Sequence, residues 1–438
     1  MIQNDMIYIT MKRILRFFLK KQCLILIIYA LIFFEAPHLF AQDFLFWESA
    51  DKNSNIKLGG ELRLDFYYYN DSGTDADGKG KNAFNIDKAK LRVKGTLYKY
   101  FGFKLGGDFS EEYAKLLDAY GKYNISPELE IRIGQFYYPY GLERLLMPSE
   151  FYPFLERSTI TKGISFKRDR GIGIEGDEFN DRLHFETGIF NGTGANKGND
   201  NDNFDVAVRI VATPIRYDRV YMLLGASFAV GQVVGTNDGD MGLKTETNSS
   251  NKYFEADIPI NRSYDRQRFS SGATFIYGPV AINGEVMMAN YKFDNTVDIT
   301  GGYITASYML TKEKISAKKG SILYQDVINP FSIQKRQWGS WELALRYSRF
   351  KVDKRFFESN GLYGGWTAVD RSKYADSGNA FSAGINWRLN NLMRLMFNWT
   401  YSRAMNNLSG GNSEIFKKDD GSSTSIENAF LTRFELNF

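Results

Sequence analysis

From residue 56 to the C-terminus, nearly every well-patterned segment of this chain alternates apolar and polar residues with period two. Such alternation marks a β-strand with one apolar face, and its persistence predicts an all-β fold. In "IKLGGELRLDFYYY", Ile56, Leu58, Leu62, Leu64 and Phe66 are apolar, whereas Lys57, Glu61, Arg63 and Asp65 take the opposite parity. In "DKAKLRVKGTLY", Ala89, Leu91, Val93 and Leu97 oppose Lys88, Lys90, Arg92 and Lys94. "FGFKLGGDF", "WELALRYSRF" and "NLMRLMFNWTY" repeat the pattern.

Sixteen such segments can be counted, near 56–69, 84–98, 101–110, 115–125, 128–138, 170–177, 182–190, 204–213, 219–230, 268–277, 280–291, 301–311, 339–352, 379–389, 392–404 and 427–438. Short connections (Lys99–Tyr100, Ser126–Pro127, Gly278–Pro279, Asn390–Asn391) mostly alternate with long polar ones, among them 70–83, 191–203, 231–267, 353–378 and 405–426. The exception is 312–338, long where a short turn is due. Short turns at one end and long loops at the other describe a transmembrane antiparallel β-barrel. A soluble sandwich also alternates its faces. Here, however, the strands are long, the polar face is charged, and aromatics make up 16% of the chain, with 27 Tyr and 35 Phe. The polar face of a barrel meets a water-filled lumen.

The N-terminus has another pattern. Lys12, Arg13, Arg16, Lys20 and Lys21 precede the apolar run "LILIIYALIFF", and "HLFAQ" follows with Ala41 as a small residue. Cations, a short apolar run and a small residue describe a cleaved signal peptide over 1–41. The run of 11 residues is short of the ~20 that a spanning helix needs. Residues 42–438 are then one barrel domain, exported to a Gram-negative outer membrane. Removing 1–41 takes five Lys/Arg and two Asp/Glu from totals of 55 and 51, leaving 50 against 49. The only Cys goes with it, so neither a disulfide framework nor thiol chemistry is expected. Near-neutral charge gives no support to nucleic-acid binding.

The chain ends on "NAFLTRFELNF", with Phe430, Phe434, Leu436 and Phe438 on one parity and Leu431, Arg433, Glu435 and Asn437 on the other. A barrel closes its last strand on its first, so that no sheet edge meets lipid. The final aromatic resembles the signal by which outer-membrane proteins reach their insertion machinery.

Lys88, Lys90, Arg92 and Lys94 form the strongest electrostatic feature. Alternate residues on a strand share a face roughly 6.7 Å apart, within the ~8 Å Debye length at physiological salt. Either a permeating anion or wall carboxylates (Glu61, Asp65, Asp108, Asp118) must offset their repulsion, and the sequence leaves both open. Arg63, Arg132, Arg182, Arg209, Arg346, Arg388 and Arg394 share the polar parity of their strands.

Four stretches resemble the phosphate-selective porin O and P family: "AKLRVKGTLYKYFGFKLGGDF", "LDAYGKY", "IRIGQFYYPYGLE", and "FLERS" followed by "RDRGIGIEG". The resemblance implies a sixteen-stranded barrel, often a homotrimer, with 312–338 as its long periplasmic connection. It implies a third external loop folded inward to narrow the pore, and passive passage of small anions such as phosphate. That loop corresponds to 139–169, whose Leu142, Leu145, Leu146, Phe151 and Phe154 suit a segment tucked against the wall. Its charges Glu143, Arg144, Glu150, Glu156 and Arg157 either line the narrowest point or pin the loop.

A barrel hydrolase is the rival from another class, and it needs a nucleophile with a base. His184 is the sole histidine after residue 41, on the polar parity of a strand, and no acid–base motif surrounds it. No zinc-like His/Cys cluster, phosphate-binding glycine loop or dinucleotide fingerprint is present in the sequence, so neither catalytic residues nor a metal or cofactor are expected. A plugged, purely structural or binding barrel is the other alternative. The favoured reading is an outer-membrane porin for small hydrophilic solutes, with lipid around it and ions or anions as its partners.

Overall fold

The computed structural model describes residues 45–70, 82–147, 151–199, 201–235, 241–249, 251–259, 262–406, 411–418 and 421–438. Residues 1–41, read as a signal peptide, and Glu150 lie outside the described residues. The first eight barrel strands are β1 (Asn55–Tyr69), β2 (Ala83–Leu97), β3 (Phe101–Asp108), β4 (Lys115–Asn124), β5 (Leu129–Tyr137), β6 (Arg168–Glu178), β7 (Leu183–Phe190) and β8 (Asp205–Tyr217). The second eight are β9 (Val220–Val234), β10 (Ser263–Tyr277), β11 (Val280–Lys292), β12 (Thr296–Met309), β13 (Ser340–Val352), β14 (Ser377–Arg388), β15 (Met393–Asn406) and β16 (Ile426–Asn437). Neighbours pair antiparallel, and β16 closes on β1 from Glu61↔Asn437 to Tyr69↔Ala429. Closure satisfies every strand within the sheet, which a lipid environment demands.

The apolar parity faces outward. Leu64, Leu91, Leu343 and Leu345 are exposed on the barrel surface, whereas Glu61, Arg63, Asp65 and Arg346 are buried inside. One register shift changes the pattern. Arg63 pairs with Lys88 but Leu64 pairs with Ile86, so Asp87 is the extra residue of a β-bulge. The bulge turns Asp87 inward beside Lys88, where it reaches Arg433 at 2.8 Å. Strict alternation would have sent that carboxylate to lipid.

All sixteen expected strands are present, but several run longer than their apolar pattern. β10 begins at Ser263 rather than near 268, β12 at Thr296 rather than near 301, and β8 continues to Tyr217. The first two extensions carry polar residues on the outward parity (Ser263, Asp265 and Gln267; Thr296, Asp298 and Thr300), and β8 is interrupted at Thr213–Pro214 by a register shift against β9, so the apolar alternation stops short of these strand ends.

Among the described residues, three connections fold into the lumen. The first runs between β5 and β6 and carries a short helix, α1 (Thr159–Ile164). The second lies between β9 and β10, where Met241–Lys244 pairs with Lys252–Ala256. Leu243, Tyr253 and Phe254 bury that hairpin against the core. The third is the long connection between β12 and β13, where Ile315–Lys318 pairs with Ser321–Tyr324. Lys319 and Gly320 make its turn with φ of 50° and 62°, the left-handed pair that a two-residue hairpin requires.

Candidate permeation site

The connection between β5 and β6 is seated by small residues on the wall. A Cβ at Gly225 would lie 2.3 Å from the Leu142 side chain, and one at Gly272 2.8 Å from it. Both glycines therefore leave room for Leu142, and Leu146 and Phe154 are buried with it. Polar contacts fix the rest. Glu285 on β11 accepts the backbone N–H groups of Leu142 (2.8 Å) and Glu143 (3.0 Å). Wall arginines donate to loop carbonyls: Arg346 to Glu156 (2.9 Å), Arg394 to Tyr152 (3.0 Å) and Arg433 to Leu155 (3.3 Å). The inward hairpins hold the loop from both ends. Lys162 Nζ donates to the Thr245 carbonyl (3.0 Å), and Ile322 N–H donates to the Leu146 carbonyl (2.7 Å).

Two cavities flank this loop. The one toward the long loops has a volume of about 640 Å³ and is lined by seven Lys/Arg against three carboxylates, Asp87, Glu111 and Glu156. The one toward the short turns, about 430 Å³, is lined by six Lys/Arg against the side chains of Asp326 and Glu435 and by Phe438 with its terminal carboxylate. The ladder on β2 joins them. Lys88 lines the first cavity, while Arg92 and Lys94 line the second.

The ladder divides by residue. Lys88 lies 3.3 Å from Asp108, and Lys90 donates to Glu61 at 2.7 Å. Arg92 lines its cavity beside Lys94 and Lys104, and Lys104 is held by Asp118 at 3.0 Å. Asp65 is taken by Arg433 at 2.6 Å. Arg63 lines the larger cavity but is enclosed by Glu61, Asp87 and Glu435. Arg132 lies outside both cavities, bound between Glu130 and Glu175.

The loop charges separate equally clearly. Glu143 is buried at 1% exposure and accepts from Tyr152 Oη and from the Ser158 N–H and hydroxyl. Burial raises its carboxyl, but Arg346 and Arg157 outweigh that and hold it below the usual range. It faces the loop interior. Glu156 binds Lys162 at 3.0 Å on the cavity wall. Arg157 donates to the Glu143 carbonyl and sits 4.3 Å over the Tyr152 ring. Arg144 lines the larger cavity, and its hydrogen bonds go to Ser165 Oγ (3.3 Å) and to the carbonyls of Thr161 and Ser165. Enclosure, then the neighbouring Arg157, push its guanidinium down to about 10. Lys167 and Lys244 line the same cavity. They escaped notice in the sequence, because Lys244 belongs to a hairpin of four-residue strands inside a polar loop.

Among the described residues, Glu175, His184 and Glu186 have metal-ligating spacing. Their carboxylates are engaged by Arg132 and by Arg209 (2.8 Å), and His184 Nδ1 lies 2.9 Å from Asp177. Arg209 also donates to the Gly320 carbonyl at 3.3 Å, so this cluster docks the third inward hairpin. Arg182 donates to the Pro214 carbonyl at 3.1 Å, at the turn end.

A family model described as phosphate-selective porin O and P matches residues 56–426. Among solved structures, a loop-deletion form of the outer-membrane protein OmpT of Vibrio cholerae aligns with 10% identity and TM-score 0.53, covering 88% of this chain and all of that one. The anion-selective porin from Comamonas acidovorans aligns with 14% identity and TM-score 0.50, over 88% of this chain and 100% of its own. OmpF of Salmonella typhi aligns with 14% identity and TM-score 0.51, over 90% and 100%. No curated protein matches the chain.

Proposed function

Since the chain belongs to the phosphate-selective porin O and P family, a porin channel built on a sixteen-stranded barrel, we propose that its passage prefers anions. The observation carrying this reading is the cation excess in both cavities on either side of the inward loop. Selectivity follows the charges ringing a constriction rather than net charge. Lys88, Arg144 and Arg157 are the contacts assigned to the solute at the wider end, and Arg92 and Lys94 those at the turn end. Phosphate is a fitting passenger, given the family's description. We place the turn end in the periplasm, because short turns face that side in such barrels. Export by cleavage after Ala41 and assembly as an outer-membrane homotrimer complete the proposal. An enzymatic role has little support, since His184 serves as a hairpin dock within a salt-bridge network.

Purified protein in a planar bilayer under a salt gradient tests the reading. The reversal potential is expected on the anion side, and Lys88→Gln combined with Arg144→Gln should move it toward cations. An unchanged potential would mean that these cations are neutralised within the wall, leaving a general diffusion porin.

A further inference from the structure

The two cavities differ in what accompanies their cations. Beside its lysines and arginines, the larger holds only Ile86 and Leu155 as sizeable apolar side chains. The turn-end cavity adds Phe151, Tyr324, Val327, Leu392, Met393 and Phe438. The rings of Phe151 and Tyr324 are stacked, with centroids 5.4 Å apart and planes 18° apart. Arg388, at the end of β14, lies 5.1 Å from the first ring and 4.4 Å from the second.

Arg388 is 6% exposed, and its Nε and Nη2 are buried with no hydrogen-bond partner among the described residues. A buried guanidinium packed on two rings, with those two nitrogens unpaired, lacks the full set of acceptors such a group ordinarily finds. The cavity it lines also holds Arg92. Cations set into an apolar wall suit a solute with both kinds of surface. A bare, strongly hydrated inorganic anion gains nothing from the aromatic lining, whereas an anion with a hydrocarbon body does.

We propose that the turn-end cavity is a selectivity station for organic carboxylates with a flat apolar body. The carboxylate lies among Arg388 and Arg92, and the body lies against Phe151, Tyr324 and Leu392. The station acts after the loop-side cavity has admitted the anion, so this inference rests on the anion-channel reading.

The test records chloride current through the full-length protein in a planar bilayer while benzoate, acetate or inorganic phosphate is added from the turn side. Benzoate should halve the current at about a tenfold lower concentration than acetate or phosphate, a gap that partial burial of its ring supplies. Arg388→Gln and Phe151→Ala should each remove that advantage while chloride conductance persists. Arg388→Lys should keep part of it, because the charge remains. Equal block by all three anions in an anion-preferring channel would overturn this inference alone. A channel without anion preference would overturn it together with the reading beneath it.

Discussion

Glu143 in the inward loop and Arg346 on β13 approach to 3.5 Å, and both side chains are almost fully buried. Arg346 also binds Glu246 of the second inward hairpin at 2.6 Å, so one wall arginine ties two lumenal segments together. Breaking a buried pair by removing one partner costs about 3–5 kcal/mol. Glu143→Ala should therefore free the loop, giving noisier and larger single-channel currents in a barrel that still resists heat and detergent. Acid should act the same way. The Glu143 carboxyl is depressed in the folded state, so its stabilisation is complete above an unfolded value of about 4.3 and lost as pH falls through the folded value. Current noise that stays flat on acidification in wild type would count against this account.

Adjacent residues of β2 face opposite solvents. Leu91 is exposed on the outer surface, and Arg92 lines the turn-end cavity. Cysteine at Lys90 or Arg92 should react with a membrane-impermeant thiol reagent in reconstituted protein, and cysteine at Leu91 or Val93 should not. Leu91→Arg should cost ~2–4 kcal/mol near the bilayer midplane, measurable by denaturant titration in lipid vesicles. Labelling of the Leu91 and Val93 variants alone would reverse the assignment of faces.

The last residue participates in closure. The Gly60 N–H donates to the Phe438 carbonyl (2.6 Å), and the Phe438 N–H donates to the Gly60 carbonyl (3.1 Å). Inside the seam, Glu435 joins Arg63 on β1 (3.2 Å) to Arg394 on β15 (3.0 Å). Deleting Phe438, or replacing it with Asp, should reduce the heat-modifiable fraction on gels of outer-membrane preparations. Full assembly of both variants would sever closure from this terminal pair.

Strand number and facing were legible in the sequence because lipid enforces them residue by residue: Leu91 and Leu345 must be apolar, and Lys90 and Arg346 must not meet lipid. The lumen was less legible. Tyr253 and Phe254 sit adjacent in a polar loop, and no period announces that the loop turns inward. "KISAKKGSILY" does alternate around a Lys-Gly turn, but its four-residue arms are too short to distinguish from a surface hairpin. The wall arginines posed a different difficulty. Arg346, Arg394 and Arg92 share one parity, yet Arg346 anchors a loop carbonyl, Arg92 lines the turn-end cavity, and Arg394 does both. Only the path of the inward loop separates those roles, and that path depends on contacts such as Leu142 against Gly225.

Lys167 provides a pH test of solute contact. It is exposed to the larger cavity and faces Arg144, Glu156 and Lys162 of the loop and Lys88 of β2. Enclosure by the barrel, then the Arg144 guanidinium, push its ammonium down to about 8. A lysine with a lowered value is charged below it and neutral above it. Anion preference should therefore fall as pH rises from about 7 to 9, a range in which an ordinary lysine stays charged. Lys167→Gln should show the weaker preference already at pH 7 and lose the pH step, while Lys122→Gln, whose partner is Glu130 at 2.6 Å, should keep it. Reversal potentials measured across that range decide the matter. A pH step surviving in Lys167→Gln would assign the titration to another group and remove Lys167 from the solute path.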